Sequence, residues 1–289
     1  MVKVSAIQMS MSEDKKANVV KAESLVREAC KNGAQIILLP ELFEGLYFCK
    51  DMDKKYFSWA SQRENNKLIE HFSILAKELR VVILVSYFEK SEENYFNSLV
   101  VVDADGDVMD NYRKTHIPDG LGYEEKFYFK SGDSGFKVYD TAYGKIGVGI
   151  CWDQWFCETA RALTLMGAEI IFYPTAIGSE PEIGLDSKEH WQRVQMGHAA
   201  TNTVPVVVAN RIGKEVGDSC SLTFYGSSFI TDYTGAKIVE ASRDKEEIIY
   251  ANFDLQENKK QREYWGLLRD RKPEYYTALC KQLQCQITF

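Results

Sequence analysis

The sequence predicts an α/β fold in which strands and helices alternate. Segments with the periodicity of strands and segments with the periodicity of amphipathic helices follow one another along the chain. The 289 residues, 45% of them hydrophobic, are enough to bury a substantial core in one large domain or two small ones. No linker or low-complexity segment divides the chain, so we expect a single domain over residues 1–289.

An internal repeat also favours this fold class. Residues 27–40 match residues 161–174, and both copies contain the end of a helix, a capping glycine and a buried strand that ends in proline. We therefore expect two strand–helix–strand halves within one pseudo-symmetric domain. The copies differ at the next residue, which is Glu41 in the first and Thr175 in the second.

The first elements follow from hydrophobic periodicity. Residues 2–9 have the pattern of a strand, and residues 16–31 that of an amphipathic helix, which Gly33 is expected to end. Residues 34–40 form a short continuous apolar run, which is typical of a strand buried on both faces. The next predicted helix and strand span residues 66–80 and 81–87.

Turn signals and further periodic segments continue the alternation. The Asp- and Gly-rich residues 103–107 and 232–235 each predict a hairpin with a strand on either side. Residues 255–284 predict a strongly charged helix with a break at Pro273. The other predicted strands are residues 136–140, 145–151, 168–173 and 204–209, and the other predicted helices are residues 158–166 and 187–201.

Charge and cysteine content indicate which partners, compartment and stabilising sites to expect. The net charge of −7 argues against nucleic acid as a partner and is compatible with a cationic small molecule. The N-terminus does not have the pattern of a signal peptide, and no apolar run reaches the roughly 18–20 residues of a membrane span. The seven cysteines are scattered without a Cys-x-x-Cys pair, so we predict a cytoplasmic protein with neither a disulfide framework nor a zinc site.

Cys151 is a candidate nucleophile. It ends the predicted strand 145–151, on the face that also carries Gly147 and Gly149. Glycines in a strand often mark the close approach of a ligand, so we expect open space over the sulfur. The alternative is a small core residue, because free cysteine is among the most buried residue types.

Glu41 and Lys114 are the other candidate catalytic residues. Glu41 follows a fully buried strand, so its carboxylate should be partly removed from water and suited to act as a general base. The alternative is a solvent-facing loop acid, as Glu44 could be. Lysine side chains are usually solvated, and this is the alternative for Lys114. Beside a nucleophile, however, its ammonium can stabilise a developing oxyanion.

Three segments, in order along the chain, resemble the three signature segments of the nitrilase superfamily. They are Leu-Pro-Glu-Leu at residues 39–42, Tyr-Arg-Lys-Thr-His at residues 112–116 and Gly-Ile-Cys-Trp-Asp at residues 149–153. The resemblance covers nearly the whole chain and implies one carbon–nitrogen hydrolase domain with a four-layer α-β-β-α sandwich. It also implies catalysis without a metal or an organic cofactor, because a thiol supplies the nucleophile.

The same resemblance implies a role for each candidate. Glu41 would be the base, Cys151 the nucleophile, and Lys114 with the backbone N–H of Trp152 would hold the oxyanion. A second active-site glutamate is common in the superfamily. Glu125 matches it best, with the neighbouring Glu124 as the alternative.

Longer stretches resemble the N-carbamoylputrescine amidase family within the superfamily. These stretches are residues 42–45, 116–120, 125–129, 151–156 and 173–181. They imply hydrolysis of a small cationic ureido substrate, N-carbamoylputrescine, to putrescine, carbon dioxide and ammonia through a cysteine thioester. The candidate substrate contacts in these loops and beside them are Glu44, Asp119, Tyr123, Glu124, Thr175, Glu180 and Asp186.

Two other functions stay open. One is another amidase of the superfamily, such as a β-ureidopropionase-like enzyme that acts on an anionic carbamoyl acid. The other is a non-catalytic binding protein on the same fold. The resemblance also implies a homo-oligomer, a dimer or larger, and we expect the charged segment 255–289, which ends in apolar residues at 287–289, to serve assembly.

Overall fold

A computed structural model of the protein describes residues 1–180 and 184–281 and has four layers, α-β-β-α, as predicted. Residue 181, which ends the matched segment 173–181, and the apolar end at 287–289 lie outside the described residues. Two sheets pack face to face, and a pair of helices covers the outer face of each.

The first sheet has eight strands within the described residues. Its strands are β1 Val2–Ser10, β2 Ile36–Leu38, β3 Val82–Ser91, β4 Asn94–Val102, β5 Tyr112–Arg113, β10 Arg211–Val216, β11 Ser221–Tyr225 and β14 Glu247–Phe253. The order is β11-β10-β1-β2-β3-β4-β5, and β1, β2 and β3 are parallel. One edge of β1 is shared, because β14 pairs along most of its length and β10 only at its end.

The second sheet has six strands in the part of the chain that the structure describes. They are β6 Lys137–Thr141, β7 Gly144–Val148, β8 Ile170–Pro174, β9 Val206–Ala209, β12 Phe229–Thr231 and β13 Lys237–Glu240. The order is β13-β12-β9-β8-β7-β6, with β7, β8 and β9 parallel. The turn at 232–235 therefore closes the predicted hairpin between β12 and β13.

Helices cover both outer faces of the pair of sheets. The α-helices in the described residues are α1 Lys15–Lys31, α2 Lys67–Leu79, α3 Glu125–Tyr128, α4 Cys157–Leu165, α5 Lys188–Asn202 and α6 Leu255–Trp265. Side chains of α1 and α2 pack on the first sheet, and those of α4 and α5 pack on the second. In β2, Ile36 and Leu38 face the other sheet while Ile37 faces the helices, so this strand is buried on both faces as its continuous apolar run predicted. No helix in residues 1–180 and 184–281 combines the length and hydrophobicity needed to cross a bilayer.

The two halves of the repeat occupy equivalent places in the two sheets. Gly33 and Gly167 both have a positive φ, of 86° and 103°, and each lies between a helix and a strand. The strands are β2 in the first sheet and β8 in the second, as the repeat predicted. The two halves meet just beyond these strands, where the N–H of Glu41 donates to the carbonyl oxygen of Thr175 at 3.4 Å.

The turn at 103–107 closes the predicted hairpin, because β4 and β5 on either side of it pair antiparallel. The longer hairpin β3–β4 was not predicted from a turn signal. Its turn contains Glu92 with a φ of 53°, which is uncommon for glutamate, so the residue type does not mark this turn in the sequence. One local prediction differs from the structure. The predicted helix 255–284 ends at Trp265, because Gly266 takes a left-handed conformation, and short 3-10 turns come after it.

Candidate active site

The three candidate catalytic residues and Glu125 come together at one edge of the two sheets. Glu41 follows β2, Lys114 follows β5, Glu125 begins α3, and Cys151 begins a 3-10 helix after β7. The side chains of Glu41, Lys114 and Glu125 are fully buried, and Cys151 is 6% exposed. Since the carboxyl ends of parallel strands lie at the same sheet edge, residues distant in sequence converge here.

Lys114 lies between the two glutamates. Its Nζ is 2.9 Å from Oε1 of Glu41 and 2.6 Å from Oε2 of Glu125. Asn97 donates to the same Glu41 oxygen at 2.6 Å, and the hydroxyl of Tyr47 donates to the other Glu125 oxygen at 2.7 Å. Oε2 of Glu41 has no hydrogen-bond partner among the described residues. That oxygen is therefore free to accept a proton from a reacting group.

Burial and charge together set the protonation of these groups. Burial lowers the pKa of Lys114, but the charges of Glu125 and Glu41 outweigh it and hold that pKa well above its usual range. Burial raises the pKa of Glu125 to about 7, although Lys114 opposes the shift. Burial, and then the charge of Glu41, raise the pKa of the Cys151 thiol well above its usual range. The thiol is therefore protonated at rest, and it needs a base to become nucleophilic.

Cys151 has a strained backbone. Its φ is 42°, and its Sγ lies 3.8 Å from the carbonyl oxygen of Ala176. A positive φ is costly for a non-glycine residue and persists where the surroundings impose it, as at reactive centres. The next residue, Trp152, lies in the first turn of the 3-10 helix, where backbone N–H groups lack partners within the helix.

The space over the thiol does not come from the glycines before Cys151, contrary to the expectation from their pattern. β7 ends at Val148, so Gly149 lies beyond the strand. A Cβ on Gly149 would lie 2.7 Å from the ring of Tyr173, and one on Gly147 would meet Leu163 of α4 at 3.0 Å. These glycines instead allow close packing beneath the turn that carries the thiol.

Asp153 ties the lysine segment to the cysteine turn. Its buried carboxylate accepts from the backbone N–H of Ile150 at 2.9 Å and from the hydroxyl of Tyr112 at 2.7 Å. The backbone N–H of His116 donates to it at 3.0 Å, and Nδ1 of that histidine lies 2.7 Å away. Sequence reasoning assigned no site role to Asp153, Asn97 or Tyr47. The sequence did contain a signal for Asp153, which belongs to the matched segment 149–153, but none for Asn97, whose strand has other polar residues.

A cavity of about 140 Å³ opens onto the thiol. Cys151 and Glu125 line it, together with Asp119, Tyr123 and Glu180 from the predicted substrate contacts. Of the two neighbouring glutamates, Glu125 both lines the cavity and pairs with Lys114 at 2.6 Å, so the geometry favours it as the second active-site glutamate.

Besides Glu124, three other candidate contacts do not line this cavity. Glu44 forms an ion pair with Lys15 at 3.0 Å, so its charge is directed to the surface beside α1. Thr175 is fully buried and lies 3.1 Å from an amide oxygen of Gln154. Asp186 lines a larger groove of about 580 Å³, which shares Glu180 with the cavity.

Comparisons with known proteins identify the family. A sequence model described as carbon-nitrogen hydrolase matches residues 3–263. A citrullinase from Francisella tularensis is 51% identical, over 97% of this chain and 99% of the relative. An N-carbamoylputrescine amidase from Arabidopsis thaliana is 53% identical, over 96% of this chain and 95% of the relative.

Solved structures give the same result for the fold. The crystal structure of a carbon-nitrogen hydrolase from Helicobacter pylori superposes with a TM-score of 0.91, at 37% identity, over 97% of this chain and 99% of that one. Because the family model spans most of the chain and relatives above 50% identity span nearly all of it, the protein is a carbon–nitrogen hydrolase of the nitrilase superfamily.

Proposed function

We propose that the protein hydrolyses N-carbamoylputrescine to putrescine, carbon dioxide and ammonia, with Cys151 as the nucleophile. The observation that carries the proposal is the charge of the cavity beside the thiol. Asp119, Glu125 and Glu180 line it, and its described lining contains no lysine or arginine.

The buried geometry supports a first step in which Glu41 is the base. Its Oε2, which has no partner among the described side chains, takes the thiol proton, and the sulfur attacks the ureido carbonyl carbon. Lys114 and the backbone N–H of Trp152 stabilise the negative charge that develops on the oxygen. Ammonia leaves with the proton held by Glu41, and a carbamoyl thioester remains on Cys151.

Water completes the reaction. Glu41 takes a proton from the water that attacks the thioester, and the proton passes to the departing sulfur. The released carbamate loses carbon dioxide to give putrescine. Glu125 keeps Lys114 in place throughout, because it accepts from Lys114 and Tyr47 at 2.6 and 2.7 Å.

The acidic lining supports a substrate with a distal ammonium. An ammonium that enters a closed cavity must be paired to offset the loss of water around it. Glu180 is half-buried, and burial raises the pKa of its carboxyl, which a bound cation would reverse. Asp119 already has Lys126 at 3.8 Å, so Glu180 is the better partner for the ammonium.

Citrulline hydrolysis is the second candidate. The Francisella relative is named a citrullinase and is as similar to this chain as the amidases are. Citrulline carries a carboxylate beside its ammonium and would need a cation nearby. The larger groove that shares Glu180 contains Arg243, which lies 2.8 Å from Asp186. If Arg243 exchanged this partner for a substrate carboxylate, both charges of citrulline would be matched.

Ammonia release from three ureido compounds tests the proposal. We expect kcat/KM to be highest for N-carbamoylputrescine, lower for citrulline, and lowest for N-carbamoyl-β-alanine, whose carboxylate would meet like charge. A preference for citrulline would replace the proposal with a citrullinase. A preference for N-carbamoyl-β-alanine would favour the β-ureidopropionase-like alternative, and no release that depends on Cys151 would favour a non-catalytic protein.

A cytoplasmic location belongs to the same proposal. The cysteines of the described residues are free thiols, as a reducing compartment keeps them. Cell fractionation tests this, and we expect the protein with the cytoplasmic markers.

A further inference from the structure

A second group of buried charges lies beneath the loop that carries Glu41. Arg211 begins β10 and is fully buried, and Glu215 on the same strand is 5% exposed. Their closest charged atoms are 2.9 Å apart. A buried ion pair contributes little net stability by itself, so its other contacts indicate what it does.

Arg211 forms hydrogen bonds with the backbone at Glu41, the candidate base, and at the residue after it. Its Nη2 donates to the carbonyl oxygens of Glu41 at 2.8 Å and Leu42 at 3.1 Å. Leu42 has a φ of 48°, which is unfavourable for a leucine. Two successive carbonyls thus converge on one guanidinium in a strained turn, which fixes the direction in which the Glu41 side chain leaves the backbone.

Glu215 reaches the other glutamate through Tyr47. Its second carboxylate oxygen accepts the backbone N–H of Tyr47 at 2.6 Å and lies 3.7 Å from Nζ of Lys50. The hydroxyl of the same tyrosine donates to Glu125 at 2.7 Å. The position of Glu125 is therefore linked to Glu215 by one rigid, fully buried aromatic side chain.

We propose that Arg211 and Glu215 are positioning residues that set the spacing of Glu41 and Glu125 about Lys114. Six hydrogen bonds link six residues in a closed ring, in which each residue contacts the next and the last contacts the first. In order, the residues are Arg211, Glu41, Lys114, Glu125, Tyr47 and Glu215. In such a ring the two carboxylates cannot move independently. This inference rests on the proposed roles of Glu41, Lys114 and Cys151.

The ring should affect the chemical step more than substrate binding. Neither Arg211 nor Glu215 is part of the described lining of the 140 Å³ cavity. A shift of the base relative to the thiol by a fraction of an ångström changes the rate without changing the substrate contacts. The effect should therefore fall on kcat and on the ionisation of Cys151.

Arg211→Lys is the first test, because lysine keeps the charge but cannot form the planar fork to two carbonyls and a carboxylate. We expect kcat to fall at least about tenfold with KM within about twofold. The pH midpoint for alkylation of Cys151 by iodoacetamide, measured by mass spectrometry, should shift by at least about 0.5 unit.

Arg262→Lys is the matched control. Arg262 is also largely buried and also holds two backbone carbonyls, those of Thr203 and Ala168, both at 3.1 Å. It lies near the start of β8, whereas the site lies at the end of that strand. Its variant should keep the kcat and the alkylation midpoint of the unchanged protein, whatever its Tm.

Glu215→Gln is the second test, which can replace Arg211→Lys if that variant does not fold. It preserves an acceptor for the N–H of Tyr47 and removes only the charge. It should reproduce the loss of kcat and the shifted alkylation midpoint.

Double variants test whether the contacts act together. Tyr47→Phe combined with either variant should slow the reaction by less than the product of the two single effects, because both changes break the same ring.

The inference is overturned if the folded Arg211 and Glu215 variants match Arg262→Lys in kcat and alkylation midpoint, even with a lower Tm. Multiplicative single effects in the double variants would also overturn it. The alkylation experiment needs no substrate. It therefore tests the ring even if none of the three ureido compounds is hydrolysed, a result that would instead refute the proposed function.

Discussion

Cys151 is the residue on which the proposed chemistry depends most directly. Replacing it with alanine should abolish ammonia release and leave the fold intact, because the side chain becomes smaller and its hydrogen bond to Ala176, at 3.8 Å, is weak. Cys157→Ala is the control, since this thiol is exposed and lies close in sequence. Near-normal ammonia release from Cys151→Ala, with an unchanged circular dichroism spectrum, would refute the nucleophile assignment.

Ionisation of Glu125 should produce the acidic limb of the pH profile of kcat/KM, which is its fall at low pH. Burial raises the pKa of this carboxyl from 4.5 to about 7, so it loses its charge, and its ion pair with Lys114, as the pH falls through that value. We expect kcat/KM to fall below about pH 7. In Glu125→Gln, kcat/KM should be lower overall and flat across the same range. A limb that persists unchanged in this variant would assign it to another group.

The same ionisation should affect stability in the opposite direction. Because the folded pKa of Glu125 lies above its unfolded value, the folded state binds the proton more tightly. This contribution to stability is complete below pH 4.5 and is lost as the pH rises through about 7. The free energy of unfolding of Glu125→Gln, compared with the unchanged protein across this range, should lack that dependence.

Glu180 should determine binding of the distal ammonium. Its change to glutamine should raise KM for N-carbamoylputrescine more than it lowers kcat, because the contact is made equally in the ground and transition states. Asp186→Asn is the matched control, since this acid is paired with Arg243 at 2.8 Å and does not line the cavity. Equal KM values for the two variants would remove Glu180 from the site.

At the residue scale, a motif in the sequence predicted which side chains lie together, and their catalytic roles stay predictions. The order of Glu41, Lys114 and Cys151 along the chain matched a family pattern, and the structure brings these residues together with Glu125. Asn97 and Arg211 were not found, because they act from strands that are remote in sequence and no local pattern marks a side chain that crosses between elements.

At the scale of elements, the turn between β7 and the 3-10 helix is closely packed. Gly149 accommodates the ring of Tyr173, and a Cβ there would lie 2.7 Å from it. Gly149→Ala should therefore destabilise the fold by about 1–3 kcal/mol, the usual range for overpacking. It should also lower kcat, because the displaced turn carries Cys151.

Gly197→Ala is the matched control for this turn. Gly197 lies within α5, and a Cβ there would meet no atom within 4 Å. Alanine should stabilise the helix by about 0.5–1 kcal/mol, since glycine loses more backbone entropy on folding. Thermal unfolding of both variants checks the pair. A loss of stability in Gly149→Ala no larger than about 0.5 kcal/mol would contradict the packing argument.

Elements were predictable where the apolar period was strong and less so where capping decided the boundary. The strands β2 and β8 and the helices α1 and α2 lie within a few residues of their predicted ranges. The last helix was overextended, because its charged pattern continues past Gly266 and only the left-handed cap ends it. Periodicity alone therefore does not locate a helix end that a single glycine cap decides.

The C-terminal segment 255–289 should act at the scale of the whole molecule. The family model ends at residue 263, within α6, so most of this segment lies beyond the matched range. The described part of this segment exposes large apolar side chains, including those of Tyr264, Trp265, Leu267, Tyr275 and Leu279. The rings of Tyr264 and Trp265 are neighbours, with centroids 6.4 Å apart, and clustered exposed apolar side chains are typical of interfaces, so we propose that this segment contributes to a homo-oligomer.

Deleting residues 274–289 tests this proposal. The variant should elute from a sizing column as a smaller species, because the apolar contacts of Tyr275 and Leu279 are lost. The pH midpoint for alkylation of Cys151 should stay the same, since burial of the thiol and the charges of Glu41, Lys114 and Glu125 set its pKa, and none of these residues belongs to the deleted segment. An unchanged elution volume would assign the segment to the protomer itself. A shifted alkylation midpoint with unchanged size would instead show that the segment supports the site directly.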